Sequence, residues 1–304
     1  MINPKLKIHH VHLKVSNLET SLQFYRSILG FKIVRQESDT AFLSSTLNNN
    51  TSSKFLVVLS EIKDITSIFQ HKPQVAGLYH FAILLPERRY LANFLKHIQK
   101  NLNTEYYEGM ADHAVSESIY IHDPDFNGIE VYRDRDSTEW KRKEDTVHMV
   151  TEPLNVKNLL KESNIDVNND EWNELPPDTS IGHVHLHVSN LAKAKRFYHE
   201  ILKLNHTATY PGAYFFAANR YHHHIATNTW LGENIPPAYS YGNDKPGLDH
   251  YAIYLHNKND LFLLKDRLLE FKVDINEKLI ENDNQFSSSF YAYDFDGIKI
   301  QFFV

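Results

Sequence analysis

Hydrophobic and polar positions alternate along the chain in a pattern that is interrupted by helical stretches. Residues 8–15 (IHHVHLKV) alternate in the way that is typical of a half-buried β-strand. The next segment, up to Gly30, spaces its apolar residues at helical intervals, and three short β-rich runs follow before residue 61. The pattern therefore predicts a β-α-β-β-β unit.

The same order of elements recurs three more times. Because the units follow one another directly, we expect each domain to consist of two consecutive units, with a polar connector between the two domains. The predicted units are 8–61 and 77–134 in a first domain (1–135), and 181–230 and 247–304 in a second domain (180–304), with the connector at 136–179.

The second half of the chain repeats the first half, with histidines at matching places. HVHLKVSNL, which begins at His10, matches HVHLHVSNL, which begins at His183, and GLYHFAI matches GLDHYAI. Matching positions are offset by 173, 170 and 171 residues, so the register holds through the whole half. One matching pair differs in charge, because Glu130 in the first half corresponds to Gln301 in the second.

Composition narrows the classes of function. The chain has 304 residues, is 42% hydrophobic and carries a net charge of −6 without a long run of one sign. This balance argues against a nucleic-acid or anionic-membrane surface. It has no apolar stretch long enough to span a membrane and no signal-peptide core, so we expect a cytoplasmic protein.

The chain has 19 histidines and no cysteine, so a bound metal would be held by imidazole and carboxylate. His10 and His12 lie two apart in a predicted strand and share one face. Glu130 lies between two apolar residues of another strand, and it faces opposite to them. We interpret Glu130 as directed into the interior, because its match in the other half is also polar.

Four segments carry a family resemblance: GLYHFAILLPE, ADHAVSESIYIHDPDFNGIEVYRDR, IGHVHLHVSNL and YHHHIATNTW. Together with the paired units, each opened by histidine, they resemble the vicinal oxygen chelate superfamily, and most of all its bacterial catechol 2,3-dioxygenase group. The resemblance implies an α+β fold in which four βαβββ units pair into two domains. Each domain is then a curled mixed sheet that forms an open cup with helices outside.

The resemblance also implies a metal-dependent extradiol dioxygenase that acts on a catechol-type aromatic diol and O₂. Carried over to this sequence, the metal ligands are His10, His80 and Glu130. This donor set suits Fe(II), and Mn(II) accepts the same three ligands. His113 and Tyr120 match family residues near the substrate, and both are candidates for catalytic roles.

The second half offers its own candidates for the site. Its set comprises His183, His250 and Gln301 at the ligand positions, His223 at the family's acid–base position, Tyr291 as the match to Tyr120, and Asn284 in a loop. We favour the first domain, because loss of the anionic ligand should cost more metal affinity than loss of an acid–base group.

Other interpretations remain open. A glyoxalase-like lyase or isomerase would need a fourth ligand, a carboxylate from the last strand of the first unit, whereas KFLVVLSE offers no carboxylate before Glu61, at the end of the strand. A non-enzymatic protein that binds an aromatic or quinone would also suit this fold. Gathered histidines at 183, 185, 187, 223 and 250 could instead hold zinc or nickel. Long alternating strands at the domain edges are consistent with a homodimer.

Overall fold

The computed structural model describes residues 6–47, 55–63, 74–163, 172–241, 245–276 and 288–304. Each of the four units has the predicted order of one strand, one helix and three strands. Among the described residues, no helix combines the length and the apolar character that a membrane crossing requires.

The first two units have the following bounds. Unit one comprises β1 (Lys7–Val15), α1 (Leu18–Ser27), β2 (Lys32–Gln36), β3 (Thr40–Ser44) and β4 (Val57–Glu61). Unit two comprises β5 (Gly77–Leu84), α2 (Arg88–Asn101), β6 (Tyr107–Asp112), β7 (Ser116–His122) and β8 (Gly128–Asp134). The connector that follows contains a two-strand ribbon, β9 (Arg142–Lys143) and β10 (Thr146–Val147), and the short helix α3 (Val156–Leu159).

The last two units repeat this organisation. Unit three comprises β11 (Ser180–His187), α4 (Leu191–Lys195), β12 (Asn205–Tyr210), β13 (Ala213–Ala217) and β14 (Ile225–Asn228). Unit four comprises β15 (Gly247–Tyr254), α5 (Lys258–Glu270), β16 (Ile275–Asn276), β17 (Ser289–Tyr293) and β18 (Lys299–Phe303). A π-helical segment, Arg196–Ile201, continues α4.

The strands form two eight-stranded mixed sheets, each made from two units. The first sheet has the order β16-β17-β18-β15-β1-β4-β3-β2, so it joins unit four to unit one. The second sheet has the order β12-β13-β14-β11-β5-β8-β7-β6, so it joins unit three to unit two. In both sheets the seam is an antiparallel pair of first strands.

This pairing corrects the expectation that consecutive units one and two, and three and four, share a sheet. Unit one pairs with unit four, and the two central units pair with each other. Sequence periodicity could not distinguish the two arrangements, because both bury the same faces of the same strands. The two arrangements differ only in which first strands pair at the seam. Because the first strands have similar sequences, the side chains at the seam are nearly the same in either arrangement.

Local signals explain where the helices begin. Asn17 caps α1 by accepting a hydrogen bond from the backbone N–H of Thr20 at 2.8 Å, and Asn190 caps α4 by accepting from Lys193 at 3.0 Å. Buried apolar residues of both sheets and of the helices then form one continuous core. The buried histidines of the first strands lie outside this core, so their rings are available for a site.

Candidate metal centre

Two histidines and one glutamate meet on the inner face of the second sheet. The Glu130 Oε2 atom lies 3.0 Å from Nε2 of His80 and 3.0 Å from Nε2 of His183. All three side chains are almost fully buried. The other carboxylate oxygen, Oε1, accepts a hydrogen bond from the Ser118 hydroxyl at 2.6 Å. Glu130 is therefore held in place at both oxygens.

Strand register explains why these residues meet. His80 lies in β5, His183 in the neighbouring β11, and Glu130 in β8 on the other side of β5. Ala82 is the register partner of both His183 and Glu130, so its small side chain lies between their strands. A Cβ atom at Gly128 would lie 2.1 Å from the Tyr79 carbonyl oxygen, so glycine is needed for β8 to approach β5 so closely.

The structure does not bring His10 to His80 and Glu130, which corrects that part of the predicted ligand set. His10 lies in β1 of the first sheet, and its ring packs against Phe55 and the ring of His250. His183 takes the third position instead. The reason is the pairing of the units, because His10 and His183 are matching residues and the seam brings His183 to β5.

Three of the remaining second-half candidates lie in the first sheet, away from Glu130. His250, Tyr291 and Gln301 lie in the first sheet, where Gln301 is paired with Tyr291 just as Glu130 is paired with Tyr120. This shared register supports the predicted match of Glu130 to Gln301. Asn284 lies outside the described residues.

The inner face of the first sheet carries a second cluster, in which ligand atoms of His12, Asp249 and His250 lie within 4.8 Å of one another. The Asp249 carboxylate already accepts a hydrogen bond from His250 at 2.6 Å and an ion pair from the Lys299 ammonium at 3.0 Å. The carboxylate of this cluster is therefore already paired with a cationic side chain, Lys299.

Electrostatics prepare the three residues of the second sheet to donate electron pairs. Burial would raise the pKa of the Glu130 carboxyl, but the adjacent His183 and His80 rings outweigh burial and hold this pKa well below its usual value. Burial lowers the pKa of His183, and Glu130 offsets only part of that effect. At neutral pH the centre thus offers one carboxylate and a neutral His183 imidazole.

A cavity of about 370 Å³ opens onto the centre. His113 and Tyr120, the two predicted catalytic candidates, both line it. The Tyr120 hydroxyl lies 2.7 Å from Nε2 of His113, whose Nδ1 lies 2.7 Å from the Val150 carbonyl oxygen. Because a carbonyl only accepts, Nδ1 carries the proton, and in the neutral ring Nε2 accepts from Tyr120. Burial raises the pKa of Tyr120 well above 10, which keeps this hydroxyl protonated.

His223 lines the same cavity, next to His183, with their ring centroids 4.1 Å apart. Burial, followed by the neighbouring His183 and His222, lowers the pKa of His223 well below 6.5, so the ring is neutral. The sequence placed this acid–base candidate in a different domain from Glu130. Pairing of the central units brings the two candidates into one cavity.

An imidazole-rich pocket was also expected, and the structure forms part of it. His185 lies in the cavity beside His80, with ring centroids 5.0 Å apart. The side-chain amide of Asn228 donates to Nε2 of His185 at 2.9 Å and accepts from Nδ1 of His187 at 2.7 Å. Since His187 lies outside this cavity and His250 lies in the other sheet, only His183, His185 and His223 of the expected five line it.

Strand β14 would have to supply a fourth protein ligand, but it carries an alanine, Ala226, at the corresponding place. Glu130 is the register partner of Ala82 in unit two, and Ala226 is the register partner of His185 in unit three. Ala82 and His185 each lie two residues after the ligand histidine of their first strand. Ala226 thus occupies the place that matches Glu130, and the described residues offer three candidate ligands at this centre, His80, Glu130 and His183.

Family comparison agrees with this geometry. Residues 7–131 and 180–302 match the sequence model of the Glyoxalase/Bleomycin resistance protein/Dioxygenase superfamily, and the chain belongs to this superfamily. It is 36% identical over 279 residues to the catechol-2,3-dioxygenase of Bacillus subtilis strain 168, with 91% of this chain and 92% of that protein covered. The family resemblance inferred from the motifs is confirmed.

Solved structures share the fold. A crystal structure from Bacillus subtilis, described as a candidate dioxygenase, has a TM-score of 0.62 at 13% identity and covers 98% of this chain and 84% of its own. Glyoxalase I from Zea mays has a TM-score of 0.58 at 14% identity and covers 98% of this chain and 92% of its own. These matches confirm the predicted arrangement of four units in two curled sheets.

Proposed function

We propose that this chain is a metal-dependent extradiol dioxygenase that cleaves the ring of a catechol-type diol with O₂. The observation that carries the proposal is the convergence of His80, His183 and Glu130 in a buried cavity, with Ala226 at the place of a fourth ligand. The 36% identity to a catechol-2,3-dioxygenase over most of both chains supports the same reaction.

The donor set fits a divalent cation. Two ligand atoms at right angles, each about 2.1 Å from an ion, lie about 3.0 Å apart. This is the separation of the Glu130 oxygen from each histidine nitrogen. One anion and two imidazoles on one side of an ion leave the opposite side open to a substrate, which is the arrangement typical of non-haem Fe(II) oxygenases.

We assign Fe(II) as the metal, with Mn(II) as the alternative that the same donors accept. When bound, Fe(II) would supply the electron transfer between the diol and O₂ that ring cleavage requires. The carbon–carbon bond beside the diol breaks, and both oxygen atoms of O₂ enter the product.

The side chains around the centre then have distinct tasks. The neutral His223 imidazole is placed to accept a proton from a diol hydroxyl and to return it later. Tyr120, protonated and donating to His113, presents a hydroxyl oxygen that can accept a hydrogen bond from a substrate hydroxyl. Tyr79, Phe215 and Trp230 line the cavity with aromatic rings against which a diol ring can pack.

Anaerobic reconstitution tests the proposal. The purified chain is loaded with Fe(II) or Mn(II) in the absence of air and then exposed to O₂ with catechol or 4-methylcatechol. We expect equal molar consumption of O₂ and catechol and a yellow ring-opened product. Absence of both signals across a panel of catechols, with metal shown to be bound, would refute the proposed reaction.

A further inference from the structure

A chain of polar side chains continues behind His223, away from the cavity. Nδ1 of His223 lies 2.8 Å from Nδ1 of His222, and Nε2 of His222 lies 2.9 Å from Oδ1 of Asp134. His222 is fully buried and lies outside the set of cavity-lining residues. The proposed function assigns no task to His222 or to Asp134.

The direction of these hydrogen bonds follows from the Asp134 carboxylate, which is the last acceptor in this row of side chains. The second carboxylate oxygen of Asp134, Oδ2, accepts from the Tyr221 hydroxyl at 2.8 Å, and the Tyr132 hydroxyl lies 2.7 Å from that of Tyr221. An ionised carboxylate only accepts, so Nε2 of His222 carries the proton. An imidazole that carries its single proton on Nε2 has its lone pair on Nδ1, and in this form Nδ1 of His222 accepts a hydrogen bond that Nδ1 of His223 donates.

This arrangement decides which nitrogen of His223 is available for chemistry. A neutral imidazole whose Nδ1 donates has its lone pair on Nε2. Asp134 and His222 come from different units, since Asp134 ends β8 of unit two and His222 precedes β14 of unit three. Only the pairing of the central units places them together.

We propose that Asp134 and His222 are positioning residues that fix the orientation and the tautomer of His223, so that its Nε2 lone pair is available to a bound diol. This proposal rests on the proposed function, in which His223 moves the substrate proton. His222 and Asp134 contact neither the cavity nor its contents and act through His223.

A tautomer measurement tests the arrangement without any turnover. Long-range ¹H–¹⁵N spectra of the full-length, metal-free protein report the tautomer of each imidazole, and the His223→Asn variant identifies the signals of His223. We expect the Nδ1–H tautomer for His223 and the Nε2–H tautomer for His222. An Nε2–H tautomer of His223 would overturn the proposal.

Kinetics of the reconstituted protein test the consequence. His222→Phe keeps a ring but removes the acceptor, so we expect kcat for catechol to fall about tenfold or more, with KM changed less than about threefold. His222→Gln offers a carbonyl acceptor and should recover part of kcat. His224→Phe is the matched control, since His224 is a similarly buried neighbour with a ring nitrogen 3.3 Å from the Ala218 backbone N–H rather than near His223.

The two failures are distinguishable. Lack of ring cleavage by the unsubstituted, metal-loaded protein would refute the proposed function, while the tautomer spectrum would still decide the arrangement. An active protein whose His222→Phe variant keeps its kcat, or loses no more than His224→Phe, would refute the positioning role. If His222→Phe does not fold, His222→Gln and the spectrum of the unsubstituted protein carry the test.

Discussion

Nε2 of His183 lies 3.0 Å from Oε2 of Glu130, although 53 residues separate them in the sequence and they belong to different βαβββ units. This contact crosses the seam between β5 and β11. It brings a histidine from the second half of the chain to the carboxylate of the first half. The contact therefore defines which units cooperate at the centre.

Removal of the anionic ligand should abolish metal retention. In Glu130→Gln the side chain keeps its shape but loses its charge, so we expect Fe(II) affinity to fall by tenfold or more and ring cleavage to fall with it. Metal content after dialysis, measured by elemental analysis, checks this. Gln301→Asn, at the matching place in the other sheet, is the control and should retain the metal; equal losses would contradict the assignment.

Matching histidines should differ in their effect. His183→Asn removes a nitrogen from the centre, so the variant should bind less than a tenth of the metal bound by the unsubstituted protein at a limiting concentration. His10→Asn changes the corresponding residue of the first sheet and should leave metal binding unchanged. Titration with Fe(II) or Mn(II) distinguishes the variants, and loss of metal in His10→Asn would favour a site shared by the first two units.

The Tyr120 hydroxyl should contribute to turnover more than to folding. Tyr120→Phe removes a half-buried hydroxyl that donates to His113, so we expect kcat for catechol to fall by about tenfold and the free energy of unfolding by about 1 kcal/mol. Tyr291→Phe makes the same change at the matching position of the first sheet. Steady-state kinetics of that variant should be unaltered; a comparable fall in its kcat would argue for a general structural effect.

The charge of the cavity should select against anionic substrates. Its described lining includes Glu108 and Glu130 and contains neither lysine nor arginine. A carboxylate on the ring, beyond the diol oxygens that the metal would hold, would therefore meet no lysine or arginine side chain of this lining, and we expect kcat/KM for 3,4-dihydroxybenzoate to be about tenfold or more below that for 4-methylcatechol. Oxygen-electrode rates with both substrates check this. Equal values would show that a basic group reaches the bound substrate.

Acid should weaken the first sheet through Asp249. Burial would raise the pKa of this carboxyl, but its hydrogen bond and ion pairs with His250 and Lys299 hold it well below 3.8. A depressed folded-state pKa contributes stability above the unfolded-state pKa, and that stability is lost as the pH falls further. Asp249→Asn should therefore lower the free energy of unfolding at pH 7 by about 1–2 kcal/mol. In urea melts the difference should shrink below pH 4; a constant difference would contradict this origin.

Most of the fold and part of the centre follow from sequence. Strand and helix periods predict the four units, and the family motifs point to His80, Glu130, His113 and Tyr120, which meet in one cavity. The repeat that made these residues visible also concealed their partner, because His10 and His183 have almost identical surroundings in sequence. Which of them joins His80 depends on the seam that forms between first strands, a long-range choice that no local pattern records.

The distribution of polar residues between the two halves could have predicted His183 as a ligand. The first half held the carboxylate and the second half held His223, so neither half alone contained a full set. A site drawn from one ligand strand of each half would have combined them. His222 gave no such signal, since its contact with Asp134 joins residues 88 positions apart.

The order of pairing has a consequence for synthesis on the ribosome. Units two and three are consecutive, so the sheet that holds the centre has all its strands once β14 has emerged. Unit one is made before units two and three, but it has no seam partner until unit four has been made. During that interval its β1 edge is exposed to other chains. The sheet that holds the candidate centre can thus assemble early, while the other sheet depends on prompt synthesis of unit four.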